Sequence, residues 1–220
     1  MVNGNFVYKM DYVNVGDPRI GIRVYKNAIK SPESIVEIIN KSIKDSLDSP
    51  LVWKRALVGR NREVLDQRNC WDCKLRPEHV EQLQDNFIDF KTIYSELVMS
   101  IGSCVDDYSK KYGLDLRYME AINFVKYGVG EHFDVHSDHG LTYICTVSSV
   151  AYLNDDYQGG ELWFNNFEQT IKPEAGDIVI CPSTFIYSHA SLPVKSGVKY
   201  SVVTMFDYSD AAHKAGGFAY

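Results

Sequence analysis

The hydrophobic pattern of the N-terminal half predicts two helices. In residues 31–47, SPESIVEIINKSIKDSL, isoleucines recur every three or four positions, which is the spacing of one helical face. Ser31 is a candidate N-cap, and Pro32 suits the first helical position. The segment therefore predicts an amphipathic helix. Its buried stripe is expected to consist of Ile35, Ile38, Ile39 and Ile43.

The second helical pattern runs from Pro77 to Tyr112 and ends before Gly113. Its apolar positions also recur every three or four residues. We interpret them as a face packed on a core rather than as a coiled-coil partner site. These positions are Val80, Leu83, Phe87, Phe90, Tyr94, Leu97, Ile101, Cys104 and Tyr108.

After Gly113 the pattern changes to short runs rich in β-branched and aromatic residues, separated by turn residues. Helices followed by many strands predict an α+β fold, in which helices support a sandwich or barrel. Residues 57–75 are polar and weakly periodic, and we interpret them as a long loop. The runs that predict strands are LRYMEAINFVKYG, LTYICTVSSVAYL, ELWFNNFEQTI, DIVICPS and KYSVVTMFDY.

Length and composition favour one domain over residues 1–220. We expect N-terminal strands and supporting helices in residues 1–113 and a β core in residues 114–210. Hydrophobic residues make up 45% of the chain, which is enough for a packed core. The formal net charge of -6 provides no extended basic surface, which argues against nucleic acid as a partner.

Apolar runs, the first residues and the cysteines indicate in which cellular compartment the protein is expected. The chain has no apolar run long enough to cross a membrane, and its first residues lack the regions of a secretion signal. Five cysteines without framework spacing fit a reducing compartment. Cys70 and Cys73 form a CxxC pair, which we interpret as ordinary thiols in a polar loop because a second pair for zinc is missing. We expect a soluble, cytoplasmic protein with no membrane partner; its oligomeric state stays open.

Candidate chemistry is concentrated in residues 131–139, EHFDVHSDH, which hold three of the six histidines. In a regular strand Asp134, His136 and Asp138 share one face, so the last two can bind one ion. Two imidazoles and one carboxylate leave open positions on a metal, as in non-haem Fe(II) oxygenases. His79, His189 and His213 are the other candidates for the second imidazole, and only His189 has a plausible place on a strand.

Four motifs, in order, carry a resemblance to a known family. Tyr127, Gly130, Phe133, His136 and Asp138 fit the pattern Y-x-x-G-x-x-aromatic-x-x-H-x-D. YLNDDYQGGELWF, KPEAGDIVICPS and HASLPVKSGVKYS then follow in the chain. Over about residues 115–208 the sequence resembles the prolyl 4-hydroxylase-like branch of the 2-oxoglutarate and Fe(II)-dependent dioxygenases.

The resemblance implies a double-stranded β-helix, or jelly roll, with the N-terminal helices packed against its major sheet. It implies that His136, Asp138 and His189 bind Fe(II) and that Lys199 pairs with the distal carboxylate of 2-oxoglutarate. Tyr127 and Tyr152 match tyrosines that hydrogen-bond this cosubstrate. His132, Asp134 and His139 match no ligand and are interpreted as surface groups or as partners of the ligands.

The resemblance also implies a reaction. O2 and 2-oxoglutarate are consumed, a C–H bond is hydroxylated, and succinate and CO2 are released, with ascorbate as a reductant. The substrate is a peptide or protein, with peptidyl proline first, or a free amino acid or other small molecule. Arg68 is a candidate for contact with the substrate, although an exposed loop arginine is usually only solvated. Tyr200 stands where many prolyl 4-hydroxylases carry tryptophan, which weakens the case for a collagen-like substrate.

Two other classes of protein remain as alternatives. DVHSDHG approximates the H-x-H-x-D-H-x-G run of metallo-β-lactamase-fold hydrolases, but Asp134 stands where that run requires histidine. A metal-free jelly-roll binding module is the other alternative. Loss of Asp138 or His189 would favour the module, and the sequence retains both.

Overall fold

The computed structural model of the chain describes residues 10–46, 48–58, 63–140 and 143–214. Leu47 of the first helical segment and Leu141 and Thr142 of the second β-rich run lie outside these residues. Antiparallel strands contain more of the described chain than α-helices do, and the α-helices are few. The helices are α1 (Pro32–Ser42), α2 (Pro77–Glu81), α3 (Ile88–Tyr112) and α4 (Ala211–Lys214).

The larger sheet combines strands from both halves of the chain. Its order is β1-β2-β13-β9-β16-β7-β5-β3, and β6 pairs with one end of β16. Every pairing between these strands is antiparallel. The strands are β1 (Tyr12–Asn14), β2 (Arg23–Tyr25), β3 (Lys54–Arg55), β5 (Trp71–Leu75), β6 (Tyr118–Met119), β7 (Ile122–Tyr127), β9 (Val147–Tyr152), β13 (Ile178–Pro182) and β16 (Lys199–Asp207).

A smaller antiparallel sheet has the order β12-β11-β14-β8-β4, and a two-stranded ribbon pairs β10 with β15. Buried residues from the two sheets meet in one cluster, in which Val24, Tyr152 and Val179 of the larger sheet join Leu162 and Phe164 of the smaller one. The strands are β4 (Arg68–Asn69), β8 (His132–His136), β10 (Gln158–Gly159), β11 (Leu162–Phe164), β12 (Gln169–Ile171), β14 (His189–Ser191) and β15 (Val194–Ser196).

The main hydrophobic cluster contains residues of α1, of α3 and of the larger sheet. The rings of Phe90 in α3 and Phe124 in β7 lie 5.5 Å apart between centroids. The hydroxyl of Tyr94 donates to the carbonyl of Leu75 at the end of β5. The buried stripe of α1 includes Ile35 and Ile39, as the spacing predicts.

Both predicted helices differ in detail from the structure. Ser31 directly precedes α1, but its backbone is left-handed, with φ 48, and its side chain makes no capping hydrogen bond. A capping serine normally has an extended backbone, which directs its oxygen toward the first free N–H groups. The continuous helix expected from Pro77 to Tyr112 is interrupted between α2 and α3, because Gln84 is extended. Leu83 stays buried within the interruption, so the apolar spacing continues although the helix does not.

The prediction of one long loop over residues 57–75 is wrong for its described C-terminal part. β4 and β5 lie there, and β5 is an inner strand of the larger sheet. Cys70 and Cys73 are buried rather than in a polar loop. WDCKL alternates apolar and polar side chains, as a strand with one buried face does, but five residues are too few to stand out in a polar neighbourhood. Residues 59–62 of this segment are outside the described part.

Among the described residues, no helix combines the length and the apolar character that crossing a membrane requires.

Candidate functional site

Two paired strands bring three of the expected side chains together. The Cα atom of His136, the last residue of β8, pairs with that of His189, the first residue of β14. Asp138 lies two residues beyond β8, and its Oδ1 is 3.5 Å from His136 Nε2. Its Oδ2 is 3.7 Å from His189 Nε2. One ligand atom from each residue lies within 4.8 Å of the other two, and this is the one metal-ligand group of its kind among the described residues.

A β-bulge in β8 gives His136 its direction. The pairing runs from His189 opposite His136 to Ser191 opposite Phe133, so β8 contains one residue more than β14 over this stretch. Such an extra residue interrupts the alternation of side chains along a strand. Asp134 and Val135 are exposed, whereas Phe133 and His136 both turn inward. The regular alternation expected for this segment is therefore wrong, although the joint placement of His136 and Asp138 holds.

Both imidazoles are oriented by backbone carbonyl groups. His136 Nδ1 lies 2.7 Å from the carbonyl oxygen of Asp134, and His189 Nδ1 lies 3.0 Å from that of Tyr187. Because a carbonyl group only accepts hydrogen bonds, each Nδ1 carries a proton, which leaves Nε2 as the nitrogen of each ring that can bind a metal. Both Nε2 atoms face the carboxylate of Asp138. This arrangement fixes the tautomer that a metal ligand requires.

The charges in the cluster also suit a metal. Burial would raise the pKa of Asp138, but His189, His136 and the Ser148 hydroxyl outweigh it and hold that pKa below its usual range. Burial lowers the pKa of His189. The carboxyl group is therefore ionised and the His189 imidazole neutral, and these are the protonation states that bind metal ions.

The turn that carries Asp138 is tied to the adjacent strands. His139 N donates to the carbonyl of Ser183, and its ring Nδ1 lies 2.7 Å from the carbonyl oxygen of Cys145. The hydroxyl groups of Ser148 and Ser183 lie 2.7 Å apart, and both residues are buried. His139 therefore supports the Asp138 turn rather than joining the cluster.

The other histidines lie elsewhere. His132 Nδ1 faces the carbonyl of Gly130, and its Nε2 is 3.5 Å from exposed Asp134. His79 accepts the backbone N–H of Arg76 in α2. His213 of α4 stacks on Tyr118, with 4.3 Å between ring centroids. None of the three belongs to the cluster of His136, Asp138 and His189.

A second polar centre lies around Lys199, the first residue of β16. Lys199 is only 2% exposed, and its Nζ donates to the carbonyl of Gly160 and to the hydroxyl of Ser191, each at 2.8 Å. Its Nζ lies 5.0 Å from the ring centroid of Tyr127 and 5.3 Å from that of Tyr152. Ser191 is two residues after His189 in β14, which connects this centre to the histidine-carboxylate cluster.

The Lys199 centre has an unpaired cation and an unpaired hydroxyl. In the described part of the chain, no carboxylate forms an ion pair with Lys199, and burial lowers its pKa to about 7. The hydroxyl of Tyr152 is buried and has no hydrogen-bond partner among the described residues. Burial raises the pKa of Tyr152 well above its usual value, so the group is a neutral donor. A buried cation beside a free donor suits a carboxylate ligand.

Arg68 lies in β4 rather than in an exposed loop. Its Nη2 is 3.2 Å from Asp72 Oδ2, and its Nη1 donates to the carbonyl of Leu57 at 2.9 Å. Its guanidinium lies over the ring of Phe133, 5.1 Å from the centroid. The interpretation of Arg68 as a merely solvated loop residue is therefore wrong.

Sequence reasoning missed the groups that hold Lys199. The carbonyl of Gly160 gives no side-chain signal in a sequence. Ser191 does give one, because residues two apart in a strand share a face, and Ser191 follows His189 at that spacing. The stacking of Phe133 on His136 was missed for a different reason, since only the bulge places residues three apart on one face.

Comparisons with known proteins agree with this geometry. Residues 122–207 match the family model of the 2OG-Fe(II) oxygenase superfamily. A PKHD-type hydroxylase of Gluconobacter oxydans is 38% identical over 77 residues, which are 30% of this chain and 34% of that protein. The chain therefore spans about a third of the length of that relative.

Two solved structures share the fold at low sequence identity. A Trichoplax adhaerens prolyl hydroxylase in complex with a hypoxia inducible factor peptide fragment gives a TM-score of 0.67 at 17% identity, over 90% of this chain and 89% of that one. A Pseudomonas putida prolyl-4-hydroxylase gives a TM-score of 0.62 at 19% identity, over 86% of this chain and 94% of that one. The antiparallel sheets thus match the jelly roll of these oxygenases. The chain therefore has the fold of these two prolyl hydroxylases, and its residues 122–207 match the 2OG-Fe(II) oxygenase superfamily.

Proposed function

We propose that the enzyme hydroxylates a C–H bond of peptidyl proline, using Fe(II), 2-oxoglutarate and O2. The observation that carries this proposal is the cluster of His136, Asp138 and His189, whose ligand atoms converge within 4.8 Å. Two imidazoles and one carboxylate on one face leave open positions for a cosubstrate, and this donor set fits Fe(II). A hydrolytic zinc site of the metallo-β-lactamase type has less support, because the family match and the fold are those of oxygenases.

We assign the 2-oxoglutarate site to Lys199, Tyr127 and Tyr152. The ammonium of Lys199 pairs with the distal carboxylate, and the free hydroxyl of Tyr152 donates to the same ligand. Bound iron, 2-oxoglutarate and O2 together supply the oxidation, which releases succinate and CO2; ascorbate is the proposed reductant. The protein holds the cosubstrate between a fixed cation and the two oriented imidazoles, and its buried wall excludes water.

The surface around the metal-binding end favours a polypeptide as substrate. β8 ends, and β14 and β4 begin, toward the end of the smaller sheet where His136 and His189 pair. The residues just before β14 and β4 and within the bulge expose apolar side chains, including Phe185 at 75%. A contiguous patch of exposed apolar residues marks a binding surface, and we propose that these residues form such a patch beside the metal-binding end. These residues are Val64, Leu65, Val135, Phe185 and Ile186.

A free amino acid or another small molecule is the second candidate, with the same chemistry. Tyr200 is the feature that favours it over a collagen-like peptide. Its hydroxyl is 2.8 Å from Asn40 Oδ1, so it is held against the N-terminal part of the chain. We also propose that residues 1–220 act as one domain in which α1 and α3 support the larger sheet.

Succinate release tests the proposal. The enzyme is incubated with Fe(II), 2-oxoglutarate and ascorbate in air, together with proline-rich peptides or free amino acids. We expect succinate release that rises with a proline-rich peptide, and gain of one oxygen atom by that peptide. Asp138→Ala should abolish both signals, whereas His132→Ala, a change on the same strand outside the cluster, should retain them. Release stimulated only by a free amino acid would favour the second candidate, and hydrolysis without 2-oxoglutarate would refute the oxygenase.

A further inference from the structure

Arg68, Phe133 and His136 form one continuous stack. The rings of Phe133 and His136 lie 3.5 Å apart between centroids, with an angle of 11° between their planes. The guanidinium of Arg68 lies on the same phenyl ring, 5.1 Å from its centroid. A guanidinium at this distance is attracted by the face of an aromatic ring. The stack therefore restrains the ring plane of His136.

The backbone supports this stack. Arg68 pairs with Phe133 across β4 and β8, and Asn69 pairs with His132. At the bulge, Asp134 N donates to the carbonyl of Gln67 at 2.8 Å. β4 thus closes the open side of the bulge that directs His136 inward.

Arg68 itself is held at two points. Asp72 binds its Nη2, and the carbonyl of Leu57 binds its Nη1. These contacts direct the guanidinium across the phenyl ring. The side chain is 18% exposed, so little of it is available to a ligand from solvent.

We infer that Arg68 is a positioning residue for the metal ligand His136, acting through the ring of Phe133. The inference rests on the proposed metal centre. A histidine ligand has two rotatable bonds, and its hydrogen bond to Asp134 fixes only one edge of the ring. The stack fixes the orientation of the ring face, so that Nε2 of His136 is directed toward the metal position in the metal-free protein. The competing role is contact with substrate, because the Nε of Arg68 is buried and has no partner among the described residues.

Binding of Co(II) to the enzyme without 2-oxoglutarate or substrate separates these roles. Co(II) replaces Fe(II) as the probe because it is stable in air and its visible absorption reports the geometry of its ligands. We expect Arg68→Met to weaken Co(II) binding about tenfold and to change the absorption bands. A tenfold loss is the lower end of the range for residues that orient a metal ligand. Phe133→Leu should have the same effect. The double variant should bind no more weakly than Phe133→Leu alone, because Arg68 acts through that ring.

Arg55→Met is the matched control. Arg55 lies over the ring of Trp71 at 5.1 Å and pairs with Glu131, but it does not touch the stack. It should leave Co(II) affinity and absorption unchanged. Circular dichroism checks the fold of each variant. If Arg68→Met unfolds because the carboxylate of Asp72 is left unpaired, the double variant Arg68→Met/Asp72→Asn replaces it.

Two results would contradict the inference, and they differ in what they imply for the proposed metal centre. Wild-type affinity and absorption in the folded Arg68→Met variant, with a raised KM for substrate, would overturn the inference and leave the metal centre intact. If His136→Ala bound Co(II) as tightly as wild type, the proposed metal centre would be wrong and the inference would fall with it.

Discussion

We propose that Lys199 prepares the 2-oxoglutarate site for its ligand. Its ammonium is buried against a carbonyl and a hydroxyl oxygen without a carboxylate partner in the described chain. A bound 2-oxoglutarate would supply that partner. Lys199→Ala would leave the distal carboxylate buried and unpaired, at a cost of roughly 3–5 kcal/mol. We expect 2-oxoglutarate affinity to fall on the order of a hundredfold to a few thousandfold.

The measurement is a pair of titrations, first with metal and then with 2-oxoglutarate. Metal affinity should barely change in Lys199→Ala, because Lys199 is not part of the ligand cluster. Unchanged affinity for 2-oxoglutarate in this variant would mean that a different cation binds the carboxylate.

The lowered pKa of Lys199 predicts a pH dependence. Burial lowers this pKa to about 7, so above that pH most of the ligand-free enzyme carries a neutral amine. Binding the carboxylate then requires uptake of one proton, and affinity should fall about tenfold for each pH unit above about 7. Below that pH the ammonium is already charged and the affinity should level off.

Calorimetry in two buffers of different ionisation enthalpy measures this proton uptake. Lys199→Arg is the control, because a guanidinium does not titrate in this range. Its affinity should be independent of pH between 7 and 9. A wild-type affinity that does not change over the same interval would contradict the assignment of Lys199.

Tyr152 offers a prediction that separates binding from stability. Because its buried hydroxyl lacks a partner among the described residues, Tyr152→Phe should leave the free energy of unfolding unchanged or raise it by up to about 1 kcal/mol. Loss of a hydrogen bond to a charged ligand costs about 1.5–3 kcal/mol, so 2-oxoglutarate should bind about tenfold to a hundredfold more weakly.

Tyr108→Phe is the opposite control. The hydroxyl of Tyr108 donates to the carbonyl of Gly21 at 2.8 Å, far along the chain from the Lys199 centre. Its loss should lower the free energy of unfolding by about 1 kcal/mol and leave 2-oxoglutarate affinity unchanged. Urea denaturation and ligand titration together measure both effects. Equal ligand affinity in Tyr152→Phe and wild type would show that Tyr152 only packs.

Among the elements, the ribbon of β10 and β15 depends on two glycines. At Gly159, with φ +73, an added Cβ would lie 2.4 Å from the carbonyl oxygen of Pro193. The next residue, Gly160, accepts the hydrogen bond from Lys199. Gly159→Ala should therefore lower the free energy of unfolding by about 2–4 kcal/mol and weaken 2-oxoglutarate binding as the ribbon shifts.

Gly102→Ala is the matched control for this change. Gly102 lies within α3, and an added Cβ would meet no heavy atom within 4 Å. Alanine there should raise the free energy of unfolding by about 0.5–1 kcal/mol without any effect on ligand binding. Urea denaturation of both variants tests the pair. A Gly159→Ala protein as stable as wild type would contradict the close approach of the two backbones.

Some elements could be predicted from sequence and others could not. Spacing predicts α1 and α3, because each buries one periodic face. Runs of β-branched and aromatic residues between turn residues predict the long strands of the C-terminal half, which are buried almost continuously. β3 and β4 each have only two residues, so neither has a periodicity to detect. Their positions depend on partners distant in the chain, such as the pairing of Arg68 with Phe133. The break before α3 could not be predicted either, because the apolar spacing continues through a non-helical turn.

The candidate site could be predicted from the sequence better than the fold around it. The H-x-D spacing indicates His136 and Asp138, and the structure brings them together with His189. Lys199 was indicated only by the family resemblance. The orientation of the His136 ring could not be predicted from the sequence, because it depends on the bulge and on backbone carbonyl groups. Backbone atoms are the same at every position, so a sequence does not reveal which carbonyl is near.

For the whole molecule, the proposed metal centre connects two strands of the smaller sheet with the turn after β8. A ligand that binds only the folded state stabilises it, by about 2.7 kcal/mol at a hundred times its Kd. We expect Fe(II) under anaerobic conditions to raise the Tm of wild type, and a chelator to reverse the increase. His132→Ala should keep this response, and Asp138→Ala should lose it.

Differential scanning calorimetry with and without metal measures the effect. The comparison with His132→Ala excludes binding by His132, which is on the same strand but outside the cluster. An equal rise of Tm in Asp138→Ala would place the metal elsewhere on the protein.

The pairing of β2 with β13 has a consequence for how the chain is made. Asn27 N donates to Asp177 Oδ1 across 150 residues of sequence, and β2 has no inner neighbour until β13 exists. At synthesis rates of 5–20 residues per second, β2 waits on the order of ten to thirty seconds on the ribosome. During that time Ile22, Val24 and Tyr25, all buried in the finished protein, face solvent or a chaperone. β1 and β2 are thus among the last of the described strands to find their place, and an interrupted synthesis leaves β2 without its inner partner.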